Sequence, residues 1–419
     1  MPLHTKILIG LLVGAAAGVL SNVLWRDEPA LSWVVQTVTQ PIGQIFLRML
    51  FMVVVPLVFT SVTLGVASLG DLRRVGRVGG KTLLFFLGTT AHAVTIGLTI
   101  SNLVRPGDGL DPAVQQALMQ DFAQQASERV AASEATGFGI NTFVNIVPRN
   151  PVAAASNGDM LGLIFFSLVF GIALTLIATE RAQPVVRLLE GISDAVVVII
   201  GFAMKLAPIG VAGLIFSVTA KFGWDLLQSL LVYVVTILLA LLLHQFGVIG
   251  VLAKLLLGIG PGRFFGRCRE LMVTAFSTSS SNATLPTTIK TAEEKFNVPR
   301  EIAGFVLPVG ATMNMNGTAL FEGMTVLFLA QVFGVHLALG TQVIVVVMSV
   351  VTAVGVAGVP SGSIPLLVMV LGMVGVPGEG IALILGVDRI LDMARTVPNV
   401  TGDLLASLWV ARSEGADVG

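Results

Sequence analysis

The sequence predicts an all-α polytopic membrane protein, with eight transmembrane helices and two re-entrant helical hairpins. Three observations carry that expectation. Of 419 residues, 55% are hydrophobic and only 11% are charged, whereas a soluble domain is about a quarter charged. Six windows hold no Lys, Arg, Asp or Glu: 7–25, 49–70, 82–104, 160–179, 226–253 and 302–321. Each is near the roughly 20 apolar residues that a membrane helix needs. The alternation of a β-barrel is absent, which leaves helices as the spanning element.

Taken along the chain, the first span carries Gly10, Gly14 and Gly18 every four residues, a stripe along which another helix can pack closely. The stretch 71–81, D-L-R-R-V-G-R-V-G-G-K, is basic, and so is 263–269. Residues 105–134 carry Asp108, Asp111, Asp121, Glu128 and Glu134 against Arg105 and Arg129. Basic loops stay in the cytoplasm, so 105–134 is expected outside and both termini inside. Residues 182–220 form a further apolar region punctuated by Arg187, Glu190, Asp194 and Lys205. The charge-free run 323–378 is too long for one helix. Met1 to Thr5 lead straight into an apolar segment, and no signal-peptide cleavage pattern is read there.

Composition also excludes several functions. The formal net charge is zero, so no nucleic-acid partner is expected. A single cysteine, Cys268, rules out an internal disulfide and a thiolate metal cluster, and in its polar stretch it reads as an incidental thiol. No H-E-x-x-H, P-loop or dinucleotide fingerprint is present, so no catalytic apparatus and no enzyme activity is expected. His92 and His244 stand alone within spans and read as satisfied packing residues.

From about residue 260 the pattern changes. S-T-S-S-S-N (277–282) interrupts the charge-free run 271–289, and V-G-V-A-G-V-P-S-G-S-I-P (354–365) interrupts 337–375. Neither half of either run is long enough to cross a membrane, and Gly and Pro end helices. Two apolar arms around a polar tip make a re-entrant hairpin, which is tolerated only where it is buried in protein or lines a wet cavity. Each is followed by a helix with polar residues inside it, 308–323 and 388–403. Paired broken segments of this kind point to a transporter site built on inverted repeats.

In the last helix Asp388, Asp392, Arg395, Asn399 and Asp403 are spaced 4, 3, 4 and 4, along one helical stripe. Charges within a membrane helix face a cavity or a partner. Two readings fit. Asp392 and Arg395 neutralise each other structurally, or they form a site for a zwitterion or anion. In the second, Arg395 grips a carboxylate by two parallel hydrogen bonds and Asp392 accepts from an ammonium. Asp403 has the character of a hard-cation ligand. Asn314, Asn316 and Thr318 in N-M-N-G-T offer oxygens that suit Na⁺ if the helix breaks there, or serve as packing contacts. Glu322 lies deep in an apolar stretch, as a proton carrier or as a structural acid paired with an arginine.

These residues resemble the dicarboxylate/amino acid:cation symporters. That family includes bacterial and archaeal glutamate and aspartate symporters and the mammalian excitatory amino acid transporters. R-M-L-F-M-V-V-V-P-L-V-F (48–59) is similar to its second span, and T-S-S-S-N-A-T-L-P (278–286) to its serine-rich hairpin tip. N-M-N-G-T-A-L-F-E-G resembles its N-M-D-G-T signature, G-V-P-S-G-S (358–363) its second tip, and D-M-A-R-T-V-P-N-V-T-G-D its last helix.

The resemblance implies a homotrimeric elevator-type transporter in the plasma (cell inner) membrane. It would import acidic amino acids with transported Na⁺ and/or H⁺ and no cofactor. Its scaffold would be 1–75 and 107–222. Its mobile part would be 76–106, 223–260 and the core 261–412. Ser280, Ser281 and Asn399 would meet the α-carboxylate. Thr318 and Arg395 would meet the side-chain carboxylate, with Asp392 on the ammonium and Thr396 alongside. Val359, Pro360, Ser361 and Gly362 would form the outer gate. One Na⁺ would use Gly310, Asn314, Asn399 and Asp403. A second would use Thr312, Met315 and carbonyls near Ala353, Val354 and Val356. Glu322 matches a proton-carrying position.

Several positions depart from the family pattern. Asn316 replaces an aspartate, and Phe86 replaces a tyrosine, beside Thr89 and Thr90 at the third Na⁺ site. An amide for a carboxylate removes a charge there, so proton coupling is expected to contribute. Ser279 and Met393 stand where members often carry a further arginine, so Asp392 is expected to be under-neutralised when empty. The alternative within the class is a C4-dicarboxylate symporter, against which Asp392 argues. A channel and a membrane enzyme are the alternatives outside it.

Overall fold

The computed structural model describes residues 3–25, 28–67, 76–108, 147–157, 160–355, 358 and 361–418. Among the described residues the backbone is helical nearly throughout and contains no strand. The first half holds α1 (Leu3–Trp25), α2 (Pro29–Val34), α3 (Gln40–Phe51), α4 (Val54–Ala67), α5 (Gly76–Val104), α6 (Pro151–Asn157), α7 (Met160–Leu176) and α8 (Thr179–Phe222). The second half begins with α9 (Trp224–Leu242), a π-helical stretch Leu243–Ile249, α10 (Gly250–Leu257) and α11 (Pro261–Arg267). Then come α12 (Arg269–Thr278), α13 (Ser281–Phe296), α14 (Arg300–Met313), α15 (Asn316–Val332), α16 (Leu339–Gly355), α17 (Ile364–Met373), a 3-10 segment Gly378–Leu383 and α18 (Leu385–Ser413).

Among the described residues five helical stretches are long and apolar enough to cross a membrane: Thr5–Trp25, Pro29–Ala67, Arg77–Val104, Thr179–Phe222 and Leu227–Leu257. Gly162–Leu176 and Leu339–Val354 are shorter apolar helices. Leu12, Val23, Leu84, Leu103 and Leu255 point outward with more than half of their surface exposed. Such apolar outer faces belong against lipid, and the chain is a multi-pass membrane protein. Segment 182–220 is one part of α8, which runs unbroken through Pro184 and Pro208 with Arg187, Glu190, Asp194 and Lys205 on its exposed side. Its 44 residues make a rod of about 66 Å at ~1.5 Å per residue. That is twice the hydrocarbon layer, so the layer does not hold its whole length.

The glycine stripe of α1 does what its spacing predicts. An ideal Cβ at Gly10 would stand 2.3 Å from the Pro208 carbonyl oxygen, at Gly14 2.5 Å from that of Ala212, and at Gly18 2.8 Å from that of Phe216. Only hydrogen fits, so α1 and α8 pack backbone to backbone.

In the second half α18 is the axis. It packs against α12, α13, α14 and α15, and α15 packs in turn against α5. Every residue from Pro398 to Leu408 is buried, as is every residue from Asn316 to Ala330. Helices enclosed on all sides need no amphipathic stripe, so polar groups on them point into protein rather than water. Helix α18 continues through Pro398, whose ring meets Gly317 of α15. Cys268 is buried in the core formed by α10–α14, which fits the incidental reading of its thiol.

Candidate functional site

Each interrupted segment is divided between two helices. Helix α12 ends at Ser279, which adopts a left-handed conformation with φ 51°, and α13 starts at once behind the N-cap Ser280, whose Oγ accepts from the Ala283 amide at 3.1 Å. A hydroxyl at an N-cap satisfies a donor that the helix start leaves free. The second turn lies between α16 and α17. There Ser361 also has a positive φ, 59°. The tips touch: the Gly358 carbonyl receives the Ser280 hydroxyl and, at 3.2 Å, the Asn282 amide.

Beneath the tips lies a charged cluster on α18. Arg395, 1% exposed, places Nη1 3.0 Å from Asp388 Oδ1 and Nη2 2.8 Å from Asp392 Oδ1. Its guanidinium lies over the Phe321 ring, 4.1 Å from the centroid. Ser361 donates its backbone N–H to Asp392 Oδ2 and its hydroxyl to Asp388 Oδ2, both at 3.0 Å. The second tip is therefore held down by both carboxylates. Asn399 Oδ1 accepts the Gly317 amide at 2.8 Å and the Thr318 amide at 3.4 Å, which caps α15, while its Nδ2 donates to Thr318 Oγ1 at 3.0 Å.

A polar cavity of about 10 Å³ lies here, lined by Ser279, Ser281, Met315, Thr318, Gly358, Gly362, Ser363, Asp392, Arg395, Thr396 and Asn399. That is room for about one water, so a larger solute enters only when the tips part. The structure thus brings Ser281, Thr318, Gly362, Asp392, Arg395, Thr396 and Asn399 together as expected. Ser280 is buried beside them but turns its hydroxyl to Gly358. Val359, Pro360 and Val356 lie outside the described residues. Ser363 and Gly358 were not singled out in the sequence. Ser363 carries a buried hydroxyl with no partner, and the S-G-S of the tip was its one signal.

The expectation that Asp392 is under-neutralised requires correction. A second guanidinium, Arg389, places Nη1 3.7 Å from Asp392 Oδ2. One turn before Asp392 on the same helix, it reaches the carboxylate by i,i+3 spacing.

A third buried carboxylate, Asp403, is 2% exposed and makes no ion pair among the described residues. Its Oδ1 accepts from Asn314 Nδ2 at 2.8 Å, and Asn314 Oδ1 is buried with no partner among the described residues. The break between α14 and α15 falls at Asn314 and Met315, with ψ 80° and 60°, two residues before Gly317. A Cβ at Gly310 would stand 2.6 Å from Asp403 Oδ1. A half-turn of the Asn314 amide would put its oxygen beside the carboxylate, a donor set fitted to a hard cation carried as cargo. Asn399 directs its oxygen to α15 rather than to Asp403. Thr312 donates to the Val309 carbonyl at 3.0 Å, and Ala353 is buried nearby in the core of α16. The Val354 carbonyl faces Gly65 of α4.

Asn316 Oδ1 accepts from Thr90 at 2.7 Å and Thr89 at 3.4 Å, and its Nδ2 has no partner among the described residues. Phe86 is buried one turn earlier on α5. Glu322 is fully buried, accepts the Thr352 hydroxyl at 2.7 Å, and pairs with no arginine among the described residues. His244 also needs correction. It is buried in the π-helical stretch, but neither ring nitrogen has a partner among the described residues. Its neighbour Gln245 accepts from Thr401 of α18 at 2.8 Å. His92 lies exposed on α5. No group of three or more His, Cys, Asp or Glu able to hold a metal occurs among the described residues.

The chain is 38% identical over 414 residues to the proton/sodium-glutamate symport protein of Bacillus subtilis (strain 168), covering 99% of this chain and 93% of that protein. It is 34% identical over 409 residues to the proton/glutamate-aspartate symporter of Escherichia coli (strain K12), covering 98% and 92%. It is also 34% identical over 417 residues to the C4-dicarboxylate transport protein of Rhizobium leguminosarum, covering 99% and 90%. The model of the sodium:dicarboxylate symporter family matches residues 3–413, and the chain belongs to that transporter family.

Proposed function

We propose that the protein is a secondary active symporter that imports aspartate or glutamate, coupled to Na⁺ and/or H⁺. One observation carries the substrate reading: Asp392 and Arg395 are buried together beneath two closed hairpin tips. An acidic amino acid presents an ammonium and two carboxylates. Asp392 complements the first, Arg395 and the polar tips with Asn399 complement the others. Relatives named for proton/sodium-glutamate symport support it.

Asp403 with Asn314 supplies a place for a transported Na⁺, and Asn316 with Thr89 and Thr90 a weaker, uncharged one. Glu322, buried without a counter-cation, is the candidate proton carrier. We assign eight spans, two re-entrant hairpins in inverted repeats, a static scaffold of 1–75 and 107–222, and a mobile part of the remaining helices that moves as an elevator. The protomers assemble as a homotrimer in the plasma (cell inner) membrane with both termini cytoplasmic.

The test is radiolabelled aspartate uptake into proteoliposomes with Na⁺, K⁺ and pH gradients varied independently. Saturable uptake driven by a Na⁺ or pH gradient supports the reading. Currents without coupled uptake would make the protein a channel. A C4-dicarboxylate symporter remains the second reading, favoured by the relative from Rhizobium leguminosarum and by the extra cation Arg389. Asp392→Asn that binds aspartate normally would establish it.

A further inference from the structure

The buried cluster on α18 holds two carboxylates, Asp388 and Asp392, against one fully enclosed guanidinium, Arg395. A buried site with a surplus carboxylate repels an incoming anion, and a second cation changes that balance. Arg389 is that cation. Its Nη1 is 3.7 Å from Asp392 Oδ2, the same oxygen that takes the Ser361 amide. Its side chain is 14% exposed, and its Nε is buried with no hydrogen-bond partner among the described residues. It lines a small cavity together with Ile7, Phe46, Met204 and Val211 from the first half of the chain and with Ser361 and Asp388 of the cluster. Asp392 is the one acid that Arg389 pairs with among the described residues.

We propose that Arg389 is a positioning residue that sets the balance between amino acids and plain dicarboxylates by holding Asp392 part-neutralised. The proposal rests on the reading that Asp392 receives the substrate ammonium. With Arg389 in place, the carboxylate attracts an ammonium less strongly and repels an anionic ligand less. Without it, Asp392 discriminates more sharply in favour of a ligand that carries an amino group.

Aspartate and succinate differ only in that group, so they are the probes. Purified wild type, Arg389→Gln, Arg389→Met and Arg389→Lys are compared in liposomes by competition against radiolabelled aspartate. The preference for aspartate over succinate is expected to rise about tenfold in both neutral variants, the scale of one charge at this range. Arg389→Lys, which keeps the charge, is expected to stay near wild type. A preference unchanged in the neutral variants, or changed as much in Arg389→Lys, overturns the proposal, because loss of packing weakens both ligands alike. If succinate does not compete with wild type, the neutral variants must instead tighten aspartate itself, and failure to do so overturns the proposal. Asp392→Asn run alongside separates the two ideas. Normal aspartate binding by that variant overturns the substrate reading, whereas its loss together with an unchanged preference in Arg389→Gln overturns only the role of Arg389.

Discussion

Thr90 of α5 donates its hydroxyl to the side-chain oxygen of Asn316 of α15 at 2.7 Å, across the seam between the two helices. Thr89 approaches the same oxygen at 3.4 Å. Two hydroxyls thus converge on a neutral acceptor where a carboxylate would draw a cation. Asn316→Asp is expected to make aspartate uptake depend more steeply on Na⁺, with half-saturation at about tenfold lower Na⁺. Uptake in the absence of Na⁺ falls, since a buried charge without a counter-ion is costly. Na⁺ titration of uptake measures both, and an unchanged response would remove this position from the cation path.

Glu322 is expected to couple uptake to protons. Glu322→Gln keeps the shape and an oxygen for Thr352 to donate to. Uptake driven by a pH gradient alone should be lost, while aspartate binding at a fixed pH changes little. Thr352→Val deletes only the hydrogen bond and should cost about 1 kcal/mol of stability. If the Gln variant still transports down a pH gradient, the proton travels elsewhere.

Gly317 lies against the α18 backbone. A Cβ there would be 2.2 Å from the Arg395 carbonyl oxygen. Gly317→Ala forces α15 and α18 apart and is expected to destabilise by about 1–3 kcal/mol. A lowered Tm in detergent, together with weaker aspartate binding, is the outcome to look for.

Arg395 bridges two carboxylates, so truncation strips buried Asp388 of its guanidinium and leaves Asp392 only the more distant Arg389. Arg395→Ala is expected to cost about 3–5 kcal/mol and to abolish aspartate binding. Arg395→Lys keeps a charge but loses the planar fork that reaches Asp388 and Asp392 at once. It should fold yet bind aspartate at least about a hundredfold more weakly, as read by calorimetry.

At the opposite end of α18, Lys81 and Arg77 both donate to Glu414, and they hold its carboxyl below the usual carboxylate range. A depressed folded value means that this contact is complete above the ordinary carboxylate range and is lost as pH falls through the held value. Amides of 412–415 should therefore exchange faster in Glu414→Gln than in wild type at neutral pH, and the two should converge in acid. Equal exchange at neutral pH would show that the contact does not fasten the helix end.

The two polar interruptions and the charged last helix were legible in the sequence because membrane depth makes polar residues expensive. S-T-S-S-S-N and V-P-S-G-S stand out against apolar arms, and Asp392 and Arg395 fall on a readable stripe. The glycine stripe of α1 was legible for the same kind of reason: its period matches a helix face. Arg389 was not, because Ser279 and Met393 drew attention to the empty positions rather than to the residue that reaches Asp392 from one turn earlier. His244 is buried as a packing residue is, but whether its ring nitrogens find partners depends on side chains brought in from other helices, which no local pattern reports. The role of Asn399 as the cap of α15 depends on two helices crossing, which no local pattern reports.

The seam between α1 and α8 has a further consequence. Carbonyl oxygens of α8 stand where side chains at Gly10, Gly14 and Gly18 would begin, so the two helices meet like rack and pinion with three teeth engaged. Turning α1 about its axis would drive a neighbouring bulky residue, Leu11 or Val13, into that space. Sliding it by one residue would do the same. The first helix is therefore indexed to the eighth at a single setting, a fixed datum against which any displacement of the polar second half can be measured.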